Sequence, residues 1–295
     1  MRELTGRTAI VTGASRGIGP YICQALANEG MNVVLAARSV GELDQVAASL
    51  QTKGSHTLVV STDVSDAHNR RTLVERANAQ FGKIDVLVNN AGIEASGLFA
   101  SAAAADIEHI LAVNLAAAML LTHEVLPGMV ERGLGHIVNI ASLAGKAPTP
   151  YGAAYAASKS GIIGFTRSLH AELRGSGVGV SAVSPGFVSE AGMFHNASER
   201  VQVKPSRLVG TSTPDQVAAA VVRAIKGNKV DVIVNHRRPM RPIFAIEALA
   251  PGAIIRMLPL FGVTRTMKRM AEARALDASE AESNQDERSS ETHAS

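Results

Sequence analysis

The chain has 295 residues, 46% hydrophobic and 19% charged, with 3% aromatic residues and a formal net charge of +3. The apolar share is ample for a large core and excludes wholesale disorder, and the few aromatics leave no stacking platform for single-stranded nucleic acid, which is not an expected partner. The lone cysteine, Cys23, can close no internal disulfide and build no cysteine metal cluster.

No stretch reaches the roughly 18 uncharged apolar residues of a membrane span. The N-terminus runs almost at once into an apolar strand and leaves no room for a signal peptide, so the expectation is a soluble cytoplasmic protein. Short runs rich in Val and Ile predict strands at 8–12, 32–37, 57–61, 86–89, 136–140, 178–183 and 230–234. Segments of helical length lie between them, among them 17–29, 41–50, 67–81, 103–131, 154–174 and 214–225. These strands are apolar on both faces, as parallel strands covered by helices must be. Alternating strands and helices predict an α/β fold, a doubly wound sheet with right-handed crossovers. Residues 237–274 fall outside this alternation and hold eight Lys/Arg and two acids, a balance of +6. Residues 275–295 hold one Arg and six acids without an apolar period, and are expected to be a disordered acidic tail.

The first predicted strand leads into Thr12-Gly13-Ala14-Ser15-Arg16-Gly17-Ile18-Gly19, and a helix follows. Glycines let the backbone turn tightly and approach a pyrophosphate, while the helix N-terminus offers oriented N–H groups. Cofactor type is readable at the end of the second strand. A carboxylate there would bind a ribose 2′-hydroxyl and repel a 2′-phosphate, but the sequence reads Ala36-Ala37-Arg38-Ser39. Arg38 and Arg16 offer guanidinium groups to a 2′-phosphate, which favours NADP(H), with NAD(H) as the alternative.

Tyr155 and Lys159 stand four apart in a helical stretch and so project from one face. A phenol ionises near pH 10 unless a cation favours its anion, and an ammonium one turn away is expected to do that. Ser142, ending the strand before, can hydrogen-bond a substrate carbonyl while Tyr155 gives its proton.

With these residues in place, the chain resembles the short-chain dehydrogenase/reductase family. The matching elements stand in family order: the glycine turn, Asp63-Val64, Asn89-Asn90-Ala91-Gly92, Asn114, Ser142, Tyr155-Ala156-Ala157-Ser158-Lys159 and Pro185-Gly186. The resemblance covers roughly residues 5–236 and implies a single Rossmann-type doubly wound domain over residues 1–236, with a seven-stranded parallel sheet flanked by helices. It implies that Tyr155 is the general acid or base and that Lys159 lowers the Tyr155 pKa and holds the nicotinamide ribose. Ser142 then positions the carbonyl and Asn114 holds a water that extends the proton relay. It further implies a cofactor lined by Gly13, Ser15, Arg16, Gly17, Ile18, Gly19 and Arg38, by Asp63 and Val64 at the adenine, by Asn90, Ala91, Gly92 and Ile93, and by Pro185, Gly186 and Val188 at the nicotinamide. Ser189 stands where many members have Thr. No metal site is expected, because the nine histidines show no ligand spacing.

The expected activity is hydride transfer between NADP(H) and the carbonyl or secondary hydroxyl of a small, lipophilic substrate, by a homodimer or homotetramer. A 3-oxoacyl thioester reductase of fatty-acid type is the alternative, and an NADPH-binding regulator without turnover is the alternative of another class. The family's substrate lid falls at 190–212, where Met193, Phe194 and Leu208 are apolar and His195, Lys204 and Arg207 polar; Glu94 is a further pocket candidate. For residues 237–274 the readings are packing on the chain or across a subunit interface, a lid over the substrate mouth, or peripheral contact with anionic lipid.

Overall fold

The computed structural model describes residues 1–51, 55–192, 210–235 and 241–250, then 252, 255–256, 258–260 and 262–273. The lid residues Met193, Phe194, His195, Lys204, Arg207 and Leu208, and the acidic tail, lie outside the described residues. In chain order the core elements are β1 Thr8–Thr12, α1 Gly19–Asn28, β2 Asn32–Ala37, α2 Val40–Gln51, β3 Thr57–Ser61, α3 Ala67–Phe81 and β4 Val86–Asn89. They continue with α4 Ala104–Leu111, α5 Ala117–Glu131, β5 Gly135–Ile140, α6 Ala153–Glu172 and β6 Val178–Pro185. Short strands β7 Phe187–Val188 and β8 Thr211–Ser212, helix α7 Pro214–Gly227, β9 Asp231–Val234 and helix α8 Arg241–Leu249 complete them.

The seven-stranded sheet has the order β3-β2-β1-β4-β5-β6-β9, and every pairing is parallel. Both faces are apolar, as the strand composition requires. Ala9, Val11, Val33 and Leu35 pack with Ile22, Leu26, Val217 and Val221 on one side. Ile10, Val34, Leu87 and Ile137 pack with Leu73, Leu121, Val125 and Met129 on the other. Each fully buried side chain of this size contributes roughly 1.5–3 kcal/mol. β1 pairs with β2 on one side and β4 on the other, so the winding reverses there and leaves a crevice beyond the strands' carboxyl ends.

The expected single helix over 103–131 is broken by a π-helical turn, Ala112–Ala116, between α4 and α5. Such bulges add a residue to one turn and re-aim side chains, here that of Asn114. The run Ala104–Glu131 is long and apolar enough to cross a bilayer by length and composition, although the acidic residues Asp106, Glu108, Glu124 and Glu131 leave no 18-residue stretch of it uncharged. Its Leu121, Val125 and Met129 are packed on the sheet, while Leu111, Met119, Leu120 and Val130 are exposed. The loop after β6 is also more structured than its sequence reads: Thr211–Ser212 returns to pair in parallel with Phe187–Val188.

Buried polar groups tie the layers together. The Asn89 amide donates to Asn139 Oδ1 at 2.8 Å, and Asn139 donates to Thr166 Oγ1 at 2.9 Å, which links β4, β5 and α6. His136, buried on β5, sits 2.8 Å from Ser181 Oγ of β6. Burial, aided by the chain's amino terminus and His170, lowers its pKa to about 3. The unfolded chain binds a proton at His136 near pH 6.5, whereas the folded chain does not until about pH 3. This contribution to stability is therefore complete above pH 6.5 and is lost as the pH falls toward 3. Denaturant unfolding at pH 7.5 and pH 5 is expected to show a loss of about 2 kcal/mol from this residue, and His136→Gln to flatten the slope. An unchanged slope would assign the acid sensitivity to another group.

Candidate active site

A cavity of about 630 Å³ lies along the carboxyl ends of β1 to β6. At one end β1 turns through Gly13 and Gly17, both at φ 63°, into α1. A Cβ on Gly13 would lie 2.9 Å from Ala91 Cα, and one on Gly19 would fall on the Gly13 carbonyl oxygen, so the turn closes only with glycine at both. Neighbouring β4 holds this turn from behind. Thr12 Oγ1 accepts from the Asn90 and Ala91 N–H groups, each at 3.0 Å. Asn90 Nδ2 donates to the Thr12 and Gly13 carbonyls at 2.9 and 3.0 Å.

The start of α1 carries no side-chain cap and no acidic residue, and Pro20 occupies its first turn. Its N–H groups and positive dipole end thus face a cavity that holds no competing carboxylate at that point. Ser15, Arg16, Gly17 and Ile18 line this part, and Ala37, Arg38, Asp63 and Val64 line the region beyond β2 and β3. Arg16 and Arg38 are exposed and form no ion pair among the described residues. Asp63 is lowered in pKa by hydrogen bonds from Ser65, with smaller help from Arg38 and His109. The narrow cradle, the open helix end and the two free guanidinium groups fit a dinucleotide with an added phosphate.

At the other end Ser142, Tyr155 and Lys159 converge. Ser142 leaves β5 in extended conformation and accepts the Ala144 N–H at 3.1 Å, which fixes its hydroxyl at the head of a short 3-10 turn. That turn is anchored by Lys146, whose Nζ reaches Asp231 of β9 while Arg167 of α6 reaches the same carboxylate at 2.8 Å. Lys159 is buried, donates to the Ile140 carbonyl at 2.8 Å and lies 5.7 Å from the Tyr155 ring centroid.

The electrostatics correct one expectation. Lys159 does not bring Tyr155 down: burial, then the Glu94 carboxylate, pushes the phenol up from its ordinary value, and only the hydrogen bond from Ser142 opposes them. Burial likewise lowers Lys159 to about 8, with Glu94 working in the other direction. The physical reason is that the ammonium is turned to the Ile140 carbonyl, and loss of water around the phenol outweighs its field.

Two expected residues stand behind the cavity and do not line it. Gly19 is packed under the glycine turn. Asn114, in the π-helical turn, spends its amide on Ile93, accepting the N–H and donating to the C=O at 2.8 Å each, and donates to Ser158 Oγ at 3.1 Å. Through these bonds it holds the Ile93 backbone. Ala91, Gly92, Ile93, Pro185, Gly186 and Val188 do line the cavity, as does Asn90, whose side chain also staples the turn. Phe244, Leu258, Val263 and Met267, from the segment after residue 236, supply one further wall of the cavity that sequence reasoning had not named residue by residue. Of the readings for that segment, the one as a cover over the site matches this placement. Its apolar spacing carried a signal of burial without saying against what. Among the described residues no cluster of His, Cys, Asp and Glu could hold a metal ion.

Comparison with known proteins agrees with this geometry. The ketoacyl reductase HetN of Nostoc sp. is 43% identical over 282 residues, covering 94% of this chain and 96% of its own length. A match of that extent leaves about 18 of 295 residues out, fewer than the 59 that follow residue 236, so it includes much of the C-terminal segment. An actinorhodin polyketide ketoreductase solved with NADPH superposes with a TM-score of 0.74 at 32% identity, over 80% of this chain and 98% of its own. A dehydrogenase/reductase from Burkholderia phymatum solved with NAD gives 0.76 at 28% identity, over 86% and 96%. The family described as short chain dehydrogenase matches residues 7–202. Sheet order, glycine turn and sequence likeness together establish that this chain is an oxidoreductase of the short-chain dehydrogenase/reductase family.

Proposed function

We propose that the protein is an NADP(H)-dependent carbonyl reductase acting on a lipophilic substrate, with Tyr155 as its general acid. The observation that carries this reading is the convergence of Ser142, Tyr155 and Lys159 on the cavity whose far end is the glycine turn. Gly13, Ser15, Arg16, Gly17 and Ile18 would hold the pyrophosphate side of the cofactor, and Arg38 the 2′-phosphate. Asp63 and Val64 would sit at its adenine, and Asn90 to Ile93, Pro185, Gly186 and Val188 along the nicotinamide half. When bound, the dinucleotide supplies the hydride.

The chain's own residues do the rest. Tyr155, held neutral by burial and by Glu94, keeps the phenolic proton that a carbonyl oxygen takes as it becomes an alcohol. Ser142 donates to the same oxygen and fixes its place, which replaces part of the order that free solution would lack. Lys159, still largely protonated near neutral pH, offsets the negative charge left on the phenolate. A neutral, proton-bearing tyrosine is in the protonation state that reduction of a carbonyl uses. Phe244, Leu258, Val263 and Met267 in the lining of the same cavity favour an apolar substrate body. The exposed Leu111, Met119 and Leu120 of the α4–α5 run support a homo-oligomer, since apolar residues of a core helix left on the surface fit a subunit contact.

A second reading, a 3-oxoacyl thioester reductase, is favoured by the ketoacyl reductase relative. Its match takes in the C-terminal segment, so that segment does not argue against an acyl substrate. The regulator without turnover is disfavoured by the complete set of proton-handling groups.

Tyr155→Phe is expected to lower kcat by about 10²–10⁴-fold while NADPH affinity stays nearly constant, measured by steady-state turnover and fluorescence titration. Turnover at the wild-type rate would refute the assignment of Tyr155. Arg38→Ala is expected to weaken NADPH by about 10- to 100-fold and NADH hardly at all, as loss of a charged hydrogen bond implies. Equal weakening of both would contradict the 2′-phosphate contact.

A further inference from the structure

The C-terminal segment has two unlike sides. Its inner side contributes Phe244, Leu258, Val263 and Met267 to the cavity, and Leu258, Met267 and Met270 are buried. Away from the cavity the segment exposes Ile246 at 48%, Leu249 at 88%, Ile255 at 55% and Leu260 at 76%. Among these stand Arg256, Arg265, Lys268 and Arg269, all exposed. Lys268 faces Glu272 at 3.6 Å, whereas Arg256, Arg265 and Arg269 have no ion-pair partner among the described residues.

A single exposed leucine is ordinary; four aliphatic side chains set among cations on one covering layer are not. We infer that the surface carrying Ile246, Leu249, Ile255, Arg256, Leu260, Arg265, Lys268 and Arg269 docks on an anionic phospholipid bilayer. Aliphatic side chains flanked by Arg and Lys match the boundary between acyl chains and phosphate headgroups, where the apolar tips enter and guanidinium groups pair with phosphate. The balance of +6 over 237–274 supplies the long-range attraction to a negative surface. A second copy is a poorer occupant, because a two-fold contact sets this same basic face against itself. Docking by this layer also turns the wall of the cavity toward the bilayer. The inference stands on the surface alone and does not depend on the proposed carbonyl chemistry.

The test uses the full chain and phosphatidylcholine vesicles with and without phosphatidylglycerol, separated by sedimentation. The expected result is binding to the phosphatidylglycerol vesicles that weakens as salt is raised, with little binding to phosphatidylcholine alone. Arg265→Glu with Arg269→Glu, and separately Leu249→Ser with Leu260→Ser, are each expected to reduce binding at least about tenfold. All four positions are exposed and none lines the cavity, so thermal unfolding should be unchanged; either pair suffices if the other fails to fold. Absence of vesicle binding, binding indifferent to phosphatidylglycerol, or binding untouched by a folded double variant would overturn the inference. A dimer by size-exclusion chromatography that Leu249→Ser with Leu260→Ser dissociates, without vesicle binding, would assign this face to a second copy instead.

Discussion

The site depends on the staple between the first and fourth strands. Thr12 Oγ1 accepts two backbone N–H groups from the chain leaving β4, and the Asn90 amide returns two hydrogen bonds to the carbonyls of the glycine turn. Four bonds at about 3 Å thus fix the glycine turn against the strand that leads to Gly92, Ile93 and Glu94. Because β1 and β4 are the strands between which the sheet's winding reverses, the staple also sets the floor of the crevice. Asn114 extends the same logic by one layer. From the π-helical turn it clasps Ile93 on both backbone groups, so the glycine turn, the 90–93 segment and α6 form one connected scaffold.

On that scaffold the chemistry is governed by loss of water more than by pairwise charge. Tyr155 and Lys159 share one helix face, as their spacing requires, yet burial moves the phenol up and the ammonium down. Glu94, in the lining of the same cavity, favours the protonated form of both. The result is a proton donor beside a cation that remains charged near neutral pH, an arrangement suited to giving a proton to a nascent alkoxide. The anchored turn after Ser142, tied through Lys146 and Asp231 to the sheet edge, keeps the hydroxyl in place without help from substrate.

Most of the fold was legible because its signals are local. Every predicted core strand lies within two residues of the observed one, since runs such as Thr8–Thr12 and Asn32–Ala37 are apolar on both faces and end at glycine, asparagine or charged residues. The constellation of Ser142, Tyr155 and Lys159 was legible for a similar reason, spacing on one helix and one strand end. What escaped depends on tertiary context. Nothing in the run 103–131 marks a π-helical turn at Asn114, and the pairing of Thr211–Ser212 with Phe187–Val188 needs a return across a long loop. The sign of the Tyr155 shift also needs three dimensions, because it follows from how closely the cavity wall and Glu94 surround the phenol. The wall made by Phe244, Leu258, Val263 and Met267 was readable as apolar, and a cover over the site was one of three readings of its segment that the sequence alone did not separate.

The central claim is that this cavity transfers hydride to a carbonyl while Tyr155 delivers the proton. The most direct measurement is to incubate the full chain with NADPH deuterated at C4 of the nicotinamide and a set of apolar ketones and 3-oxoacyl thioesters, then to locate deuterium in the products by mass spectrometry. The account predicts deuterium on the carbinol carbon of at least one product from the wild-type protein, formed about 10²–10⁴-fold more slowly by Tyr155→Phe. Tight NADPH binding with no deuterated alcohol from any member of the set would contradict it.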